Sequence, residues 1–136
     1  MYEKAFSLEI VTPAKVVFQG EVTSLSAPGT LGGFQVLYNH APLLSSMAVG
    51  VVKIRDTEGK DTLYATRGGF VEVKENRAVV LAETAERADE IDVPRAKAAL
   101  ERAKQRLRSD DPGIDIDRAR AALFRALNRL RLVEKD

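Results

Sequence analysis

Apolar and polar residues alternate along the first 85 positions of the chain. Phe6, Leu8 and Ile10 are separated by Ser7 and Glu9, the period-two pattern of a half-buried strand. Val16-Val17-Phe18 is a second apolar run, ending at Gln19-Gly20-Glu21. Beyond it, Val22, Ser24 and Ser26 take one face and Thr23, Leu25 and Ala27 the other. Residues 49–54 and 62–66 read as strands joined by a hairpin turn at Asp56-Thr57-Glu58-Gly59-Lys60. Phe70, Val71 and Val73 lead into a turn at Glu75-Asn76-Arg77, and residues 78–82 form one more strand. Gly32-Gly33 and Gly68-Gly69 read as backbone bends between strands. Seven or more short strands with short connections predict an antiparallel β-sandwich of two packed sheets. No strand–helix–strand alternation occurs, which argues against a doubly wound fold.

The period then changes from two to three and four. Val93, Ala96, Leu100, Ala103 and Leu107 form one helical stripe, with Asp92 as its N-cap and Pro94 tolerated in the first turn. Ser109-Asp110-Asp111-Pro112-Gly113 interrupts the pattern. A second stripe follows in Ile116, Ala119, Leu123, Ala126, Leu130 and Val133, capped by Asp115. Matched stripes and a short link predict an antiparallel hairpin of two helices, each about 16–19 residues long. Alternate seam positions are alanine, which permits close approach but buries little area. At ~25 cal/mol per Å² such a seam stabilises weakly. The hairpin is therefore expected to rely on docking elsewhere and to be able to move. The predicted division is a β-sandwich domain of residues 1–86 followed by a helical hairpin of residues 87–136.

Composition narrows the chemistry. Lys and Arg number 21 against 20 Asp and Glu, a net charge of +1 in 136 residues. That balance argues against a nucleic-acid partner and against a polybasic membrane anchor. There is no cysteine and one histidine, His40, so thiolate catalysis, disulfides and histidine metal sites are not expected. Apolar runs are only a few residues long, so no membrane-spanning helix and no direct lipid insertion are expected. Residues 1–6 carry no apolar leader core. Abundant charge with few Asn, Gln and Met leans towards a heat-adapted source.

Two segments invite a functional reading. Residues 32–44 begin with two glycines but lack the Lys-Ser/Thr ending of a phosphate loop, and a turn between strands is preferred. His40 has no nearby nucleophile or second histidine in the sequence and reads as a structural hydrogen-bonding residue. In the helical part, Arg95 and Arg102 are seven apart on one helix, and Arg125 and Arg129 are four apart on the other. Two readings stand. The arginines form a solvated face with intrahelical ion pairs such as Asp92 to Arg95. Alternatively they converge as an anion site, because guanidinium forks bind phosphate in bidentate fashion. In the second reading Glu86 and Asp92, at one end, would accept hydrogen bonds from an adenine amino group or a ribose hydroxyl.

Three segments carry a resemblance: Asn39-His40-Ala41-Pro42-Leu43-Leu44, then Gly68-Gly69-Phe70-Val71-Glu72-Val73, then Ile91-Asp92-Val93-Pro94-Arg95-Ala96. In this order and at this spacing the chain resembles the epsilon subunits of bacterial rotary F-type ATP synthases. The resemblance implies a β-sandwich of about ten strands followed by two antiparallel helices. It implies a non-catalytic rotor subunit, peripheral at the cytoplasmic face of the cell membrane. Its implied partners are the gamma subunit, the membrane c-ring and, when the helices extend, the alpha/beta catalytic head. The helices would then block ATP hydrolysis, and ATP held by the folded hairpin as a regulatory ligand would oppose that state. Carried over residue by residue, the ATP site comprises Glu86, Ile91, Asp92, Arg95, Ala96, Arg102, Arg125 and Arg129. No motif requires magnesium. Gly33 stands where members often carry an acidic residue, Tyr38 where proline is frequent, and Pro94 lies inside the nucleotide motif. A free-standing ATP-sensing sandwich with a helical lid is the alternative. A small hydrolase is disfavoured, because no nucleophile–base pair is recognisable.

Overall fold

The computed structural model describes residues 4–135; Met1, Tyr2, Glu3 and Asp136 lie outside the described residues, and with them half of the opening segment read above. Among the described residues there are nine strands, a 3-10 turn and two helices. The strands are β1 (Phe6–Val11), β2 (Val16–Gly29), β3 (Gly32–Val36), β4 (Leu43–Ser46), β5 (Gly50–Asp56), β6 (Asp61–Arg67), β7 (Phe70–Lys74), β8 (Arg77–Leu81) and β9 (Thr84–Arg87). The 3-10 turn is Ala88–Glu90, and the helices are α1 (Val93–Arg108) and α2 (Ile116–Lys135). The chain divides into two compact units, residues 1–87 and 88–136.

In the first unit the strand order is β4-β7-β8-β1-β2-β5-β6-β9, with β3 beside β2. All pairs are antiparallel except β1 with β8. The sequence reading breaks the chain at Gln19-Gly20-Glu21, but these residues continue the ladder: Gln19 faces Glu9, Gly20 faces Leu8 and Glu21 faces Ser7. Strand β2 is thus one 14-residue element. At roughly 3.3 Å per residue it is long enough to serve two layers in turn. Its first half pairs with β1, and its second half pairs with β5 and β3. Counted once in each layer, β2 gives five strand positions per layer, which reconciles nine strands with the expected ten or so.

The change of layer happens at Thr23. The register to β5 slips between Val22 and Ser24, and the Thr23 hydroxyl donates to the carbonyls of Arg55 and Asp56 at 3.4 and 3.5 Å. An extra residue reverses the inside–outside phase. Val22, Leu25 and Ala27 are therefore all buried, although strict alternation puts Val22 on the face opposite the other two. Residues 32–44 are likewise not one turn. Gly32–Val36 is strand β3, and the turn is confined to residues 37–40.

One apolar core joins both layers. Phe6, Leu8 and Ile10 from β1 and Val71, Val73, Ala78 and Val80 from β7 and β8 cluster with Val52, Ile54 and Tyr64 from β5 and β6. The Gly68-Gly69 bend has φ of +59° and +110°. A Cβ on Gly69 would sit 1.9 Å from the Leu81 carbonyl oxygen, closer than any contact a side chain can make. Gly69→Ala is therefore expected to destabilise the sandwich by about 3 kcal/mol or more, read as a lower denaturant midpoint at unchanged slope.

In the second unit α1 has 16 residues and α2 has 20. Asp92 and Asp115 cap them as the sequence predicts: their carboxylates accept from the N–H groups of Arg95 and Arg118, each at 3.1 Å. Pro94 sits in the first turn of α1. The helices pack along Ala96, Ala103, Ala119 and Ala126, each at most 3% exposed. Ile116, expected in the seam, is 56% exposed, because it is the first residue of α2, next to the link. Leu132, absent from the predicted stripe, is fully buried. The 3-10 turn was not legible as periodicity; Ile91 N–H closes it on Ala88 O at 3.2 Å, and the turn packs on α2.

Candidate functional site

Each buried seam alanine follows an arginine: Arg95-Ala96, Arg102-Ala103, Arg118-Ala119 and Arg125-Ala126. A helix turns about 100° per residue, so each of these arginines leaves the seam on the same rotational side of its own helix. The two helices run antiparallel, since a cavity of about 290 Å³ is lined by Arg106 near the end of α1 and by Asp115, Arg118 and Ala119 at the start of α2. A local twofold axis across an antiparallel seam carries that rotational side of one helix onto the same side of the pair. Arg95, Arg102, Arg118 and Arg125 therefore share one flank of the hairpin. Arg129, one turn beyond Arg125, stays on it.

The opposite flank mixes apolar and basic residues, since Lys97, Lys104 and Arg120 each follow a seam alanine there. Leu100, Leu107, Leu123 and Leu130 each lie four residues after a seam alanine and are all half-buried. Asp92, four residues before Ala96, belongs to the arginine flank at the start of α1. Ile91, 8% exposed, precedes it, and Ala96 lies in the seam beside Arg95. At 1.5 Å per residue, Arg95 and Arg129 are at about the same height in the hairpin, roughly 20 Å from its link, with Arg125 and Arg102 between them and the link.

The structure thus brings Ile91, Asp92, Arg95, Ala96, Arg102, Arg125 and Arg129 onto one helical unit. Glu86 belongs to the other unit: it lies on β9 opposite Ala65 and is half-buried. Arg95 and Arg102 are exposed, and Arg125 and Arg129 are half-buried. Asp92 meets Arg95 through the backbone cap, in place of the side-chain ion pair considered from spacing. One carboxylate oxygen is committed to that cap, which leaves the other for a ligand donor. Arg118 was missed by sequence reasoning. The Arg-Ala dipeptide recurs seven residues apart in both helices, and that repeat is the signal that finds it.

Chemically, the flank offers bidentate anion donors beside a carboxylate acceptor. Among the described residues no group of three or more His, Asp or Glu side chains is placed to hold a metal. His40 makes a local contact, its Nδ1 lying 2.7 Å from the Ala41 carbonyl oxygen.

Residues 5–88 match the β-sandwich domain of the ATP synthase Delta/Epsilon chain, and residues 89–134 match its long α-helix domain. The chain belongs to this ATP synthase family. It is 51% identical over 107 residues to the ATP synthase epsilon chain of Pelotomaculum thermopropionicum, covering 79% of each chain. To that of Desulforamulus reducens it is 53% identical over 106 residues, covering 78% of this chain and 80% of the relative. Its fold is similar to that of a chain in the mitochondrial ATP synthase of Euglena gracilis, in a structure of the OSCP/F1/c-ring assembly. The TM-score there is 0.82 at 23% identity, over 96% of this chain and 84% of that one. A central stalk/c-ring structure from Tetrahymena thermophila gives 0.57 at 17% identity, over 99% and 98%. Within this Delta/Epsilon family, the junction between the two matched domains falls inside the 3-10 turn, one residue after the chain's own division into compact units.

Proposed function

We propose that this chain is the epsilon-type rotor subunit of an F-type ATP synthase, non-catalytic in itself, whose helical hairpin binds ATP and brakes ATP hydrolysis when it opens. The sandwich contacts the gamma subunit and the membrane c-ring, couples proton translocation to ATP synthesis, and lies at the cytoplasmic face of the membrane. Family membership supports the rotor assignment. The nucleotide reading is carried by one observation: Arg95, Arg102 and Arg125, each just before a seam alanine, and Arg129, one turn beyond Arg125, share a single flank with Asp92. The arginines take the phosphates. The uncommitted Asp92 oxygen accepts from the adenine amino group, which favours ATP over GTP because guanine presents a carbonyl there.

Calorimetric titration of the full chain with ATP tests this. Arg95→Ala is expected to weaken binding by about ten- to hundredfold, the usual cost of removing one charged hydrogen-bonding partner. Asp92→Ala also removes the α1 cap, so Asp92→Asn is the cleaner variant. Its side-chain oxygen still caps the helix, while the other position now donates and repels the adenine amino group. Equal ATP affinity in Arg95→Ala, Asp92→Asn and the parent chain rules the site out.

A further inference from the structure

The link end of the helical hairpin holds a second pair of guanidiniums that the ATP reading does not use. The cavity of about 290 Å³ there is lined by Arg106 of α1 and by Gly113, Ile114, Asp115, Arg118 and Ala119 of the link and α2. Arg106 lies two residues before the end of α1, and Arg118 two residues after the start of α2. Both therefore stand about 3 Å from their helix ends, at one height on the hairpin. Among the described residues neither guanidinium has a hydrogen-bond or ion-pair partner. The carboxylates that could neutralise them are held by backbone instead. Asp111 accepts from the Gly113 N–H at 2.8 Å, and Asp115 from the Arg118 N–H at 3.1 Å. Asp110 and Asp117 do not line the cavity.

Two unpaired positive charges on one cavity repel each other, and an anion between them removes that cost. Pockets that enclose drug-sized ligands measure roughly 300–1,000 Å³, so the anion that suits this cavity is a small one. Guanidinium forks match the oxygens of a tetrahedral phosphoanion. Asp115 then decides between such anions. One of its oxygens caps α2, and the other has no donor among the described residues. A carboxylate repels sulfate, which carries no proton at neutral pH. It accepts a hydrogen bond from the P–OH group of hydrogen phosphate. Arg106 lies 14 residues beyond Asp92, about 21 Å along α1. A nucleotide held at Asp92 meets Arg102 and Arg125 before it reaches the link. Free phosphate and the last phosphate of a nucleotide share this chemistry, and the distance from Asp92 favours the free ion.

We propose that the link end of the hairpin is a separate anion site, which takes hydrogen phosphate between Arg106 and Arg118 with Asp115 accepting its proton. One arginine comes from each helix, so the bound ion ties α1 to α2 at this end. The site stands independently of the ATP reading.

The test titrates the full chain with sodium phosphate and, separately, with sodium sulfate at constant ionic strength, following the arginine Nε–Hε signals by NMR. Saturable shifts are expected at Arg106 and Arg118, with a dissociation constant on the order of a millimolar. Sulfate should bind about tenfold more weakly. Arg106→Gln and Arg118→Gln should each weaken phosphate binding about tenfold. Both positions are exposed and glutamine is a good helix former, so the hairpin is kept. Asp115→Asn retains a capping oxygen but loses the charge, and should bring sulfate and phosphate to similar affinity. Unsaturated shifts spread over all the arginines overturn the site, leaving only charge screening. Equal affinity for sulfate and phosphate in the parent chain overturns the assignment to hydrogen phosphate. Phosphate binding that is lost in Arg95→Ala but kept in Arg106→Gln belongs to the ATP flank and overturns the proposal. Weaker ATP binding by Arg106→Gln in phosphate-free buffer means that the cavity takes the nucleotide's last phosphate, and the separate site fails. If phosphate binds as expected while ATP does not bind at all, the ATP reading falls and this site remains.

Discussion

Deleting residues 88–136 is expected to leave a folded sandwich that still assembles and supports ATP synthesis, while ATP hydrolysis by the complex rises. The sandwich unit carries its own closed set of strand pairings and a core drawn from both layers, and every member of that core lies before residue 88. The cut falls at the boundary between the compact units, after β9 is complete. The helical unit has a different economy. Apart from Leu132 near the end of α2, the buried side chains of its two helices are alanines, and each methyl group removes little surface from water. At ~25 cal/mol per Å² they hold the helices together weakly compared with a leucine seam. A module with a weak internal seam and intact caps can separate its helices without either helix melting, which is what a brake that opens requires. Hydrolysis by membranes carrying the truncated chain, compared with the full-length chain, reads the effect directly. Failure to assemble would make the helices structural. Unchanged hydrolysis would remove them as the brake.

ATP is expected to close the hairpin. A ligand shifts a two-state equilibrium only through its differential affinity for the two states. The arginine flank exists only while α1 and α2 lie side by side, because Arg95 and Arg102 come from one helix and Arg125 and Arg129 from the other. Separation removes half the donors. With millimolar ATP and a dissociation constant on the order of a micromolar, the closed form gains about 4 kcal/mol, enough to overturn a conformational gap of ordinary size. The chain has no cysteine, so fluorophores can be placed at will. Lys97→Cys on α1 and Glu134→Cys on α2 are both exposed positions near the same end of the hairpin and outside the proposed site. Packed helices hold such labels within about 10–20 Å, whereas one extended rod of the same residues would part them by some 50 Å. Energy transfer should therefore rise on adding ATP. Constant transfer while calorimetry registers binding would show that the ligand is not the switch. Arg125→Ala should weaken closure and could also weaken braking, since a guanidinium released by opening can pair with acidic surfaces of the catalytic head. Asp92→Asn should affect closure alone.

Much of this molecule was legible in the chain because the governing interactions are local. Alternation at Phe6, Leu8 and Ile10 reports a strand with one wet face, and the structure buries those three residues. The caps at Asp92 and Asp115 are short-range hydrogen bonds that depend only on neighbours three positions on. The Arg-Ala repeat sets the arginine flank by helical geometry alone, once the alanines are known to be the seam. Tertiary structure decided the rest. That β2 passes unbroken through Gln19-Gly20-Glu21 depends on β1, the other arm of its hairpin, offering a partner for every residue there, and that its phase flips at Thr23 depends on β5, far along the chain, accepting a bulge. Burial of Leu132 and exposure of Ile116 depend on where the packed ends of the hairpin fall, which a stripe of apolar residues does not encode. Hydrogen bonds between Asn39 and Asn76 join two turns whose sequences each call only for a residue that tolerates positive φ. Backbone preference selected asparagine at each turn separately, and only the fold set the two amides face to face.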